Sequence, residues 1–126
     1  MNKTRNIGIN VKAPKDVCDD AKCPFHGNIK VRGRIFTGEV IAKDLHKSAT
    51  VIWHRKHYIP KYERSETRKT KIRVHNPPCI NAQIKDMVKI IETRPLSKTK
   101  HFVIIEKVQK EKKETRKPKT AKVKTK

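Results

Sequence analysis

The sequence predicts an all-β domain with an extension at each end, and three observations carry that reading. Apolar residues recur at period two in short runs, as at Phe36, Gly38, Val40 and Ala42 and again at Val88 and Ile90, which marks strands with one buried face. Clusters of turn-forming residues separate the runs, at positions 44–48, 76–78 and 95–99. No amphipathic helix with a wide apolar face is present.

Composition narrows the function. The 126 residues suit one domain with extensions. Against 33 Lys and Arg there are only 12 Asp and Glu, a net charge of +21, so a compact domain would repel itself without a polyanionic partner. With 34% hydrophobic and 36% charged residues, the core must be small, with much of the chain ordered only against that partner. No apolar run approaches the roughly 18 residues of a membrane span, and the first 15 residues lack the apolar stretch of a secretory signal. Nucleic acid is the favoured partner, with no membrane and no small-molecule substrate.

Residues 1–33 carry few strand signals and read as an extension. Pro14 can open a short helical turn with Asp16 at its positive end. Cys18, Cys23 and His26 cluster here, while a fourth possible ligand, Cys79, lies far along the chain. Zinc takes four such ligands in a tetrahedron, and the Cys-x4-Cys-x2-His spacing approaches that of zinc sites but lacks a local fourth ligand. The favoured reading is therefore no cofactor, with Cys23 and Cys79 as reduced, buried, small apolar residues of an intracellular protein. Zinc is the alternative. Three cysteines, an odd number, argue against a secreted disulfide framework.

The barrel is expected over 34–108. Positions 34–43 form the first strand, with Phe36, Gly38, Val40 and Ala42 on the core face and Gly38 marking a bulge or bend. The turn that follows brings Lys47 and Ser48 to a basic tip. The next strand, 49–60, is apolar at Val51, Ile52 and Trp53 and then turns to His54, Arg55, Lys56, His57 and Tyr58. It thus starts in a core and projects as an arm over about 54–71. Trp53 is read as core, and Tyr58 and Tyr62 as partner-facing rings among cations, suited to stacking on unpaired bases. A short return strand, 71–75, ends at Asn76-Pro77-Pro78. Positions 79–85 read as a helical connector with Ile80 and Ile84 packing inward.

The fourth strand, from 86, runs into Pro95, which has no N–H and must end it or sit at an edge. Ser97, Lys98, Thr99 and Lys100 then place hydroxyls and ammonium groups on a rigid turn, an arrangement suited to phosphates. Positions 102–105 form the fifth strand. Residues 109–126 are a Lys- and Thr-rich tail with no fold of its own, solvated and disordered in isolation. Five strands with one short helix between the third and fourth match an OB-fold barrel. An SH3-like barrel is the nearest competitor.

These residues also carry a family resemblance. Asp-x-Val-x-Ile-x-Glu-x-Arg-Pro-Leu-Ser at 86–97 resembles the signature of the small-ribosomal-subunit protein seventeen family in its archaeal and eukaryotic-like form. Supporting matches are Lys-Ser-Ala-Thr-Val at 47–51, Pro60-Lys61-Tyr62, Val74-His75, and Cys-Pro-Phe-His-Gly at 23–27 with Arg32-Gly33-Arg34. The family usually has Gly before the Asp, where this chain has Lys85, so that turn is expected to take another conformation. The resemblance implies an OB-fold protein of the ribosome in the cytoplasm. It would bind the 5′ region of the small-subunit rRNA early in assembly, beside other small-subunit proteins. Carried over by motif, the RNA-binding residues are Arg94, Ser97, Lys98 and Lys100 in the signature turn and Lys47 and Ser48 in the first tip. Lys61, Tyr62, Arg64, Arg68 and Lys69 follow in the arm, then Arg32 and Arg34. Glu92 is read as a structural partner for a barrel cation.

Catalysis would need paired carboxylates, a metal cluster or an activated nucleophile. The few acids are scattered, and the six His show no His-Glu-x-x-His spacing, so an enzyme is not expected. The alternative to a ribosomal role is a free-standing single-strand-binding module.

Overall fold

The computed structural model describes residues 4–108; the tail expected over 109–126 lies outside them. The described residues hold five strands: β1 (Val31–Asp44), β2 (Ser48–Ile59), β3 (Arg64–His75), β4 (Met87–Thr93) and β5 (Lys100–Val108). They close into a barrel in the order β1-β2-β3-β5-β4, and β1 pairs with both β2 and β4. The β3–β5 pairing is parallel and the others antiparallel. This is an OB-fold-like barrel, with β1 long enough to serve two neighbours.

That double duty explains Gly38. β1 pairs with β4 from Val31 to Glu39 and with β2 from Glu39 to Asp44, and the β2 register slips between Val40 and Ala42. Where the strand crosses from one partner to the other, a Cβ on Gly38 would stand 2.6 Å from the Ile52 carbonyl oxygen and from Val51 Cγ1. Any side chain would push β2 away, so the bend uses the residue without one.

Val40, Ala49, Val51, Val74, Ala82, Val88, Ile90 and Ile104 fill the barrel. Phe36 and Trp53 close one end, stacked with centroids 4.8 Å apart, and Phe102 tilts against Phe36 at 6.0 Å. Trp53 is thus held by the barrel, as expected. A second apolar layer covers the outer face of β4 and β5. Ile91, Val103 and Ile105 are buried there against Ile7, Ile9 and Val11 of the amino-terminal extension. That segment is without strand or helix up to Lys30, yet it packs on the barrel. Arg5 fastens it locally, through its N–H to the Phe25 carbonyl (2.9 Å) and its guanidinium to the carbonyls of Pro24 (3.3 Å) and Ile29.

Four local expectations need correction. Pro14 opens no helical turn; the chain there has no regular structure and bends at Lys15 and Asp16. The return strand β3 begins at Arg64 rather than at 71, because its charged first half pairs residue for residue with β2. The connector before β4 is a set of turns. Its only helix-like element is the loop in which Ile80 and Asn81 donate to the Pro77 carbonyl (3.1 and 2.9 Å). Ile80 packs inward but Ile84 is 54% exposed, since one turn is too short to set an i, i+4 face. Finally, Lys85 adopts the left-handed conformation that a glycine takes cheaply, at φ +72°. Its N–H donates to the Val40 carbonyl (2.8 Å), and the Val40 N–H donates to that of Asp86 (3.0 Å). Those two bonds hold a lysine in a region that costs an L-residue about 1–2 kcal/mol.

Candidate nucleic-acid interface

Two hairpin tips meet at one end of the barrel. The β1–β2 turn carries Lys47 in the left-handed region (φ +51°), and the β4–β5 turn runs from 94 to 99. The Lys100 ammonium donates to Ser48 Oγ (2.9 Å), and the Ser48 hydroxyl donates to the His46 carbonyl (3.1 Å). The β4–β5 turn is also closed on itself. The N–H groups of Leu96 and Ser97 donate to the Lys100 carbonyl (2.8 and 3.3 Å), and the Lys100 N–H donates to Ser97 Oγ (3.1 Å). Leu96 is tucked in at 9% exposure, and Lys22 of the extension reaches its carbonyl (3.4 Å).

These bonds divide the four signature-turn residues into two pairs. Ser97 and Lys100 shape the tip, as does the buried Ser48, so their polar groups are already engaged. Arg94 and Lys98 are exposed and form no ion pair among the described residues. One cleft joins Asp44, His46, Ser48 and Arg73 to Ser97, Thr99 and Lys100; Arg73 there is paired with Asp44. A second cleft brings Arg32 and Lys30 together with Glu92 and Arg94. Glu92 accepts from the Arg34 N–H (3.4 Å), so its partner is a backbone donor rather than a side-chain cation.

The arm is a separate region. Barrel neighbours pair with β2 only as far as Ile52 and with β3 only from Arg73. Beyond those points β2 and β3, among the described residues, pair only with each other, from Trp53↔Thr70 out to Ile59↔Arg64, a reach of about 20 Å at roughly 3.4 Å per residue. Pro60–Tyr62 forms a 3-10 turn, ended by Glu63 in the left-handed region, and the Lys61 ammonium lies 5.4 Å from the Tyr62 ring centre. Tyr58 and Tyr62 are 55% and 63% exposed. Lys61, Arg64 and Lys69 are exposed without an ion pair among the described residues, whereas Arg68 is bound by Glu66. The register sets Arg55 opposite Arg68 and His54 opposite Lys69. Like charges placed directly opposite on a hairpin destabilise it. Arg55 and Arg73 are further cations outside the set expected from motifs; the register puts Arg55 against Arg68, and Arg73 is paired with Asp44.

Asp20 ties the extension to the tip end. Its carboxylate lies 2.7 Å from His75 Nε2 and 3.9 Å from the Lys47 ammonium, both carboxylate and ring being buried. Burial alone would raise the Asp20 pKa, but the Lys22 N–H, His75 and Lys47 outweigh it and hold the carboxyl below its ordinary range. Burial pushes His75 below its usual value against the pull of Asp20.

The four candidate zinc ligands also come together. Cys79 lies 3.6 Å from Cys23, sulfur to sulfur, and His26 Nδ1 lies 3.4 Å from Cys18 Sγ and 3.6 Å from Cys23 Sγ. The Cys79 contact, aided by the N–H groups of His26 and Phe25, lowers the Cys23 thiol to about 5 and pushes the Cys79 thiol up.

With the geometry in place, comparison with known proteins is decisive on lineage. The family model described as Ribosomal protein S17 matches residues 38–106. A small ribosomal subunit protein uS17 of Methanocaldococcus jannaschii is 54% identical over 104 residues, covering 82% of this chain and 89% of that protein. The uS17 of Methanococcus vannielii is 54% identical, covering 82% and 95%, and that of Methanopyrus kandleri 52%, covering 81% and 86%. The chain belongs to the ribosomal protein S17 family.

Proposed function

We propose that this protein is a structural constituent of the small ribosomal subunit that grips the 5′ region of its rRNA with the two-tip end of the barrel and with the arm. It works in the cytoplasm, as a part of the ribosome beside other small-subunit proteins. The observation that carries this reading is the joining of the β1–β2 and β4–β5 tips through Lys100 and Ser48. In OB-folds these two loops are the ones that bind oligonucleotides. The tip is cross-linked by its own hydrogen bonds without any partner, and Lys47, Arg94 and Lys98 stand exposed on it. Contacts of this kind go to phosphates and 2′-hydroxyls, so the shape of a folded RNA supplies the specificity. The arm extends the grip by neutralising phosphates along its two cationic faces.

The test is Arg94→Glu with Lys98→Glu. Both side chains are exposed and unpaired, so the melting curve should stay within about 0.5 kcal/mol of the parent. Binding to a 5′-region rRNA fragment and incorporation into small subunits should both fall sharply. Parental binding and incorporation by the double variant would overturn the assignment of the tip. Exposed Tyr58 and Tyr62 beside Lys61 favour a second reading, a free module that stacks single-stranded bases. It predicts equal affinity for short unstructured oligonucleotides and for the folded fragment.

A further inference from the structure

We propose that Cys18, Cys23, His26 and Cys79 form a closed tetrahedral zinc site that staples the amino-terminal extension to the barrel. The argument is geometric. In a tetrahedron with Zn–S near 2.3 Å and Zn–N near 2.0–2.1 Å, sulfurs stand about 3.8 Å apart and sulfur and nitrogen about 3.5 Å apart. The three contacts of 3.4, 3.6 and 3.6 Å follow that pattern, and all four donor atoms lie within 4.8 Å of one another. A chance cluster of small apolar residues has no reason to aim four donor atoms at one point. Here the imidazole presents Nδ1 to two sulfurs while its Nε2 has no hydrogen-bond partner among the described residues.

Cys23, His26 and Cys79 are held by structure of their own. The turn of Cys23, Pro24, Phe25 and His26 is fixed by the Cys23 N–H donating to the Asp20 carbonyl and the Gly27 N–H donating to that of Cys23, both at 2.9 Å. Gly27 is required there, since a Cβ would lie 2.3 Å from the Ala21 carbonyl oxygen. Cys79 is presented by the loop that follows β3. Asn76 clamps that loop, donating from Nδ2 to the Ala82 carbonyl (3.1 Å) and accepting at Oδ1 from the Ala82 N–H (3.0 Å). Phe25, Ile7, Val11 and Ile80 pack around the sulfurs, which limits water and competing ligands. Three thiolates with one imidazole, and no position left open, is a donor set for a structural Zn2+. Binding releases the thiol protons to solvent, leaving a complex of net charge −1 in a strongly cationic protein. The bond it closes spans Cys23 to Cys79, 56 positions apart, and it holds Ile7, Ile9 and Val11 over β4 and β5.

Metal analysis of the untagged full chain, purified without chelator under reducing conditions, tests this directly. About one zinc per chain is expected, and Cys18→Ser and Cys79→Ser should each lose most of it. Co2+ added to chelator-stripped parent protein should give the visible absorption of a tetrahedral thiolate complex, a readout that needs no variant to fold. Chelation should also open residues 4–30 to protease while the barrel amides stay protected. Absence of zinc together with no tetrahedral cobalt spectrum overturns the site. So does iron in its place, a Cys23–Cys79 disulfide in the freshly isolated chain, or full zinc content in folded Cys79→Ser. An extension equally resistant with and without zinc overturns the staple.

Discussion

The β4–β5 tip and the β2–β3 arm have the same ingredients, cations and hydroxyls on a hairpin, and they behave as opposite kinds of surface. At the tip, Lys100, Ser48 and Ser97 bond to one another and to backbone, Leu96 is buried, and the extension braces the turn through Lys22. The remaining cations project from a frame that is already paid for. In the arm no strand among the described residues flanks the hairpin past Trp53 and Thr70, and Arg55 faces Arg68. Its conformation rests on the β2–β3 ladder and the Phe36–Trp53 stack at its root. The difference teaches that cationic residues alone do not define a binding site. One region is organised by its own bonds, and on the proposed function the other would gain stability when a polyanion removes its self-repulsion.

Four measurements break or sharpen this contrast, in order of expected size. Ile104→Ala opens a cavity in the barrel core and should cost about 2–5 kcal/mol in a urea melt. The tip and arm should be lost in the same transition, whereas an arm that survives the barrel's melting would show it to be independent. Lys100→Met removes the ammonium bound to Ser48 and should cost about 1 kcal/mol. Amide exchange should rise over 94–99 and not over 54–70; an equal rise in both would erase the distinction.

Acid should act on the tip end next. The folded state holds His75 below its ordinary pKa, so the unfolded chain gains its proton near pH 6.5 while the folded chain does not. Stability is then complete above about pH 6.5 and falls as pH drops toward the folded value. A melt series from pH 8 to pH 5 checks this, and His75→Gln should flatten it; an unchanged slope would remove His75 as the cause. Smallest is Arg55→Gln, which relieves the pair with Arg68 and should raise the stability of the free chain by about 0.2–1 kcal/mol. It should lower the salt slope of RNA binding by roughly 0.7–0.9 if Arg55 meets a phosphate. A loss of stability would mean that the facing arginines do not repel.

Periodicity sufficed for five strands and for the core face of β1 because each strand has one buried side whose side chains must be apolar. It under-read β3, whose first half contains no apolar alternation and is a strand only because β2 lies beside it. It misjudged the connector, where a single turn has no room for a helical face, and Lys85, where two bonds to Val40 override the preference of a lysine. In the signature turn, motif matching singled out Arg94, Ser97, Lys98 and Lys100 alike and could not separate the exposed Arg94 and Lys98 from Ser97 and Lys100, which the tip uses for its own bonds.

By itself the sequence determined the all-β class, the surplus of positive charge that points to a polyanionic partner, the Pro95-ended strand with its basic turn, and the family signature. These are properties of composition and of near neighbours, and local physics is enough to express them. The tertiary structure decided the rest: that Lys100 crosses to Ser48, that Asp20 meets His75, that Ile7, Ile9 and Val11 cover Ile91, Val103 and Ile105, and that Cys79 completes a cluster begun at Cys18. Each of these joins positions at least 52 apart in the chain. Closing the barrel meets the loop-closure entropy of such contacts collectively, and no local pattern carries that information.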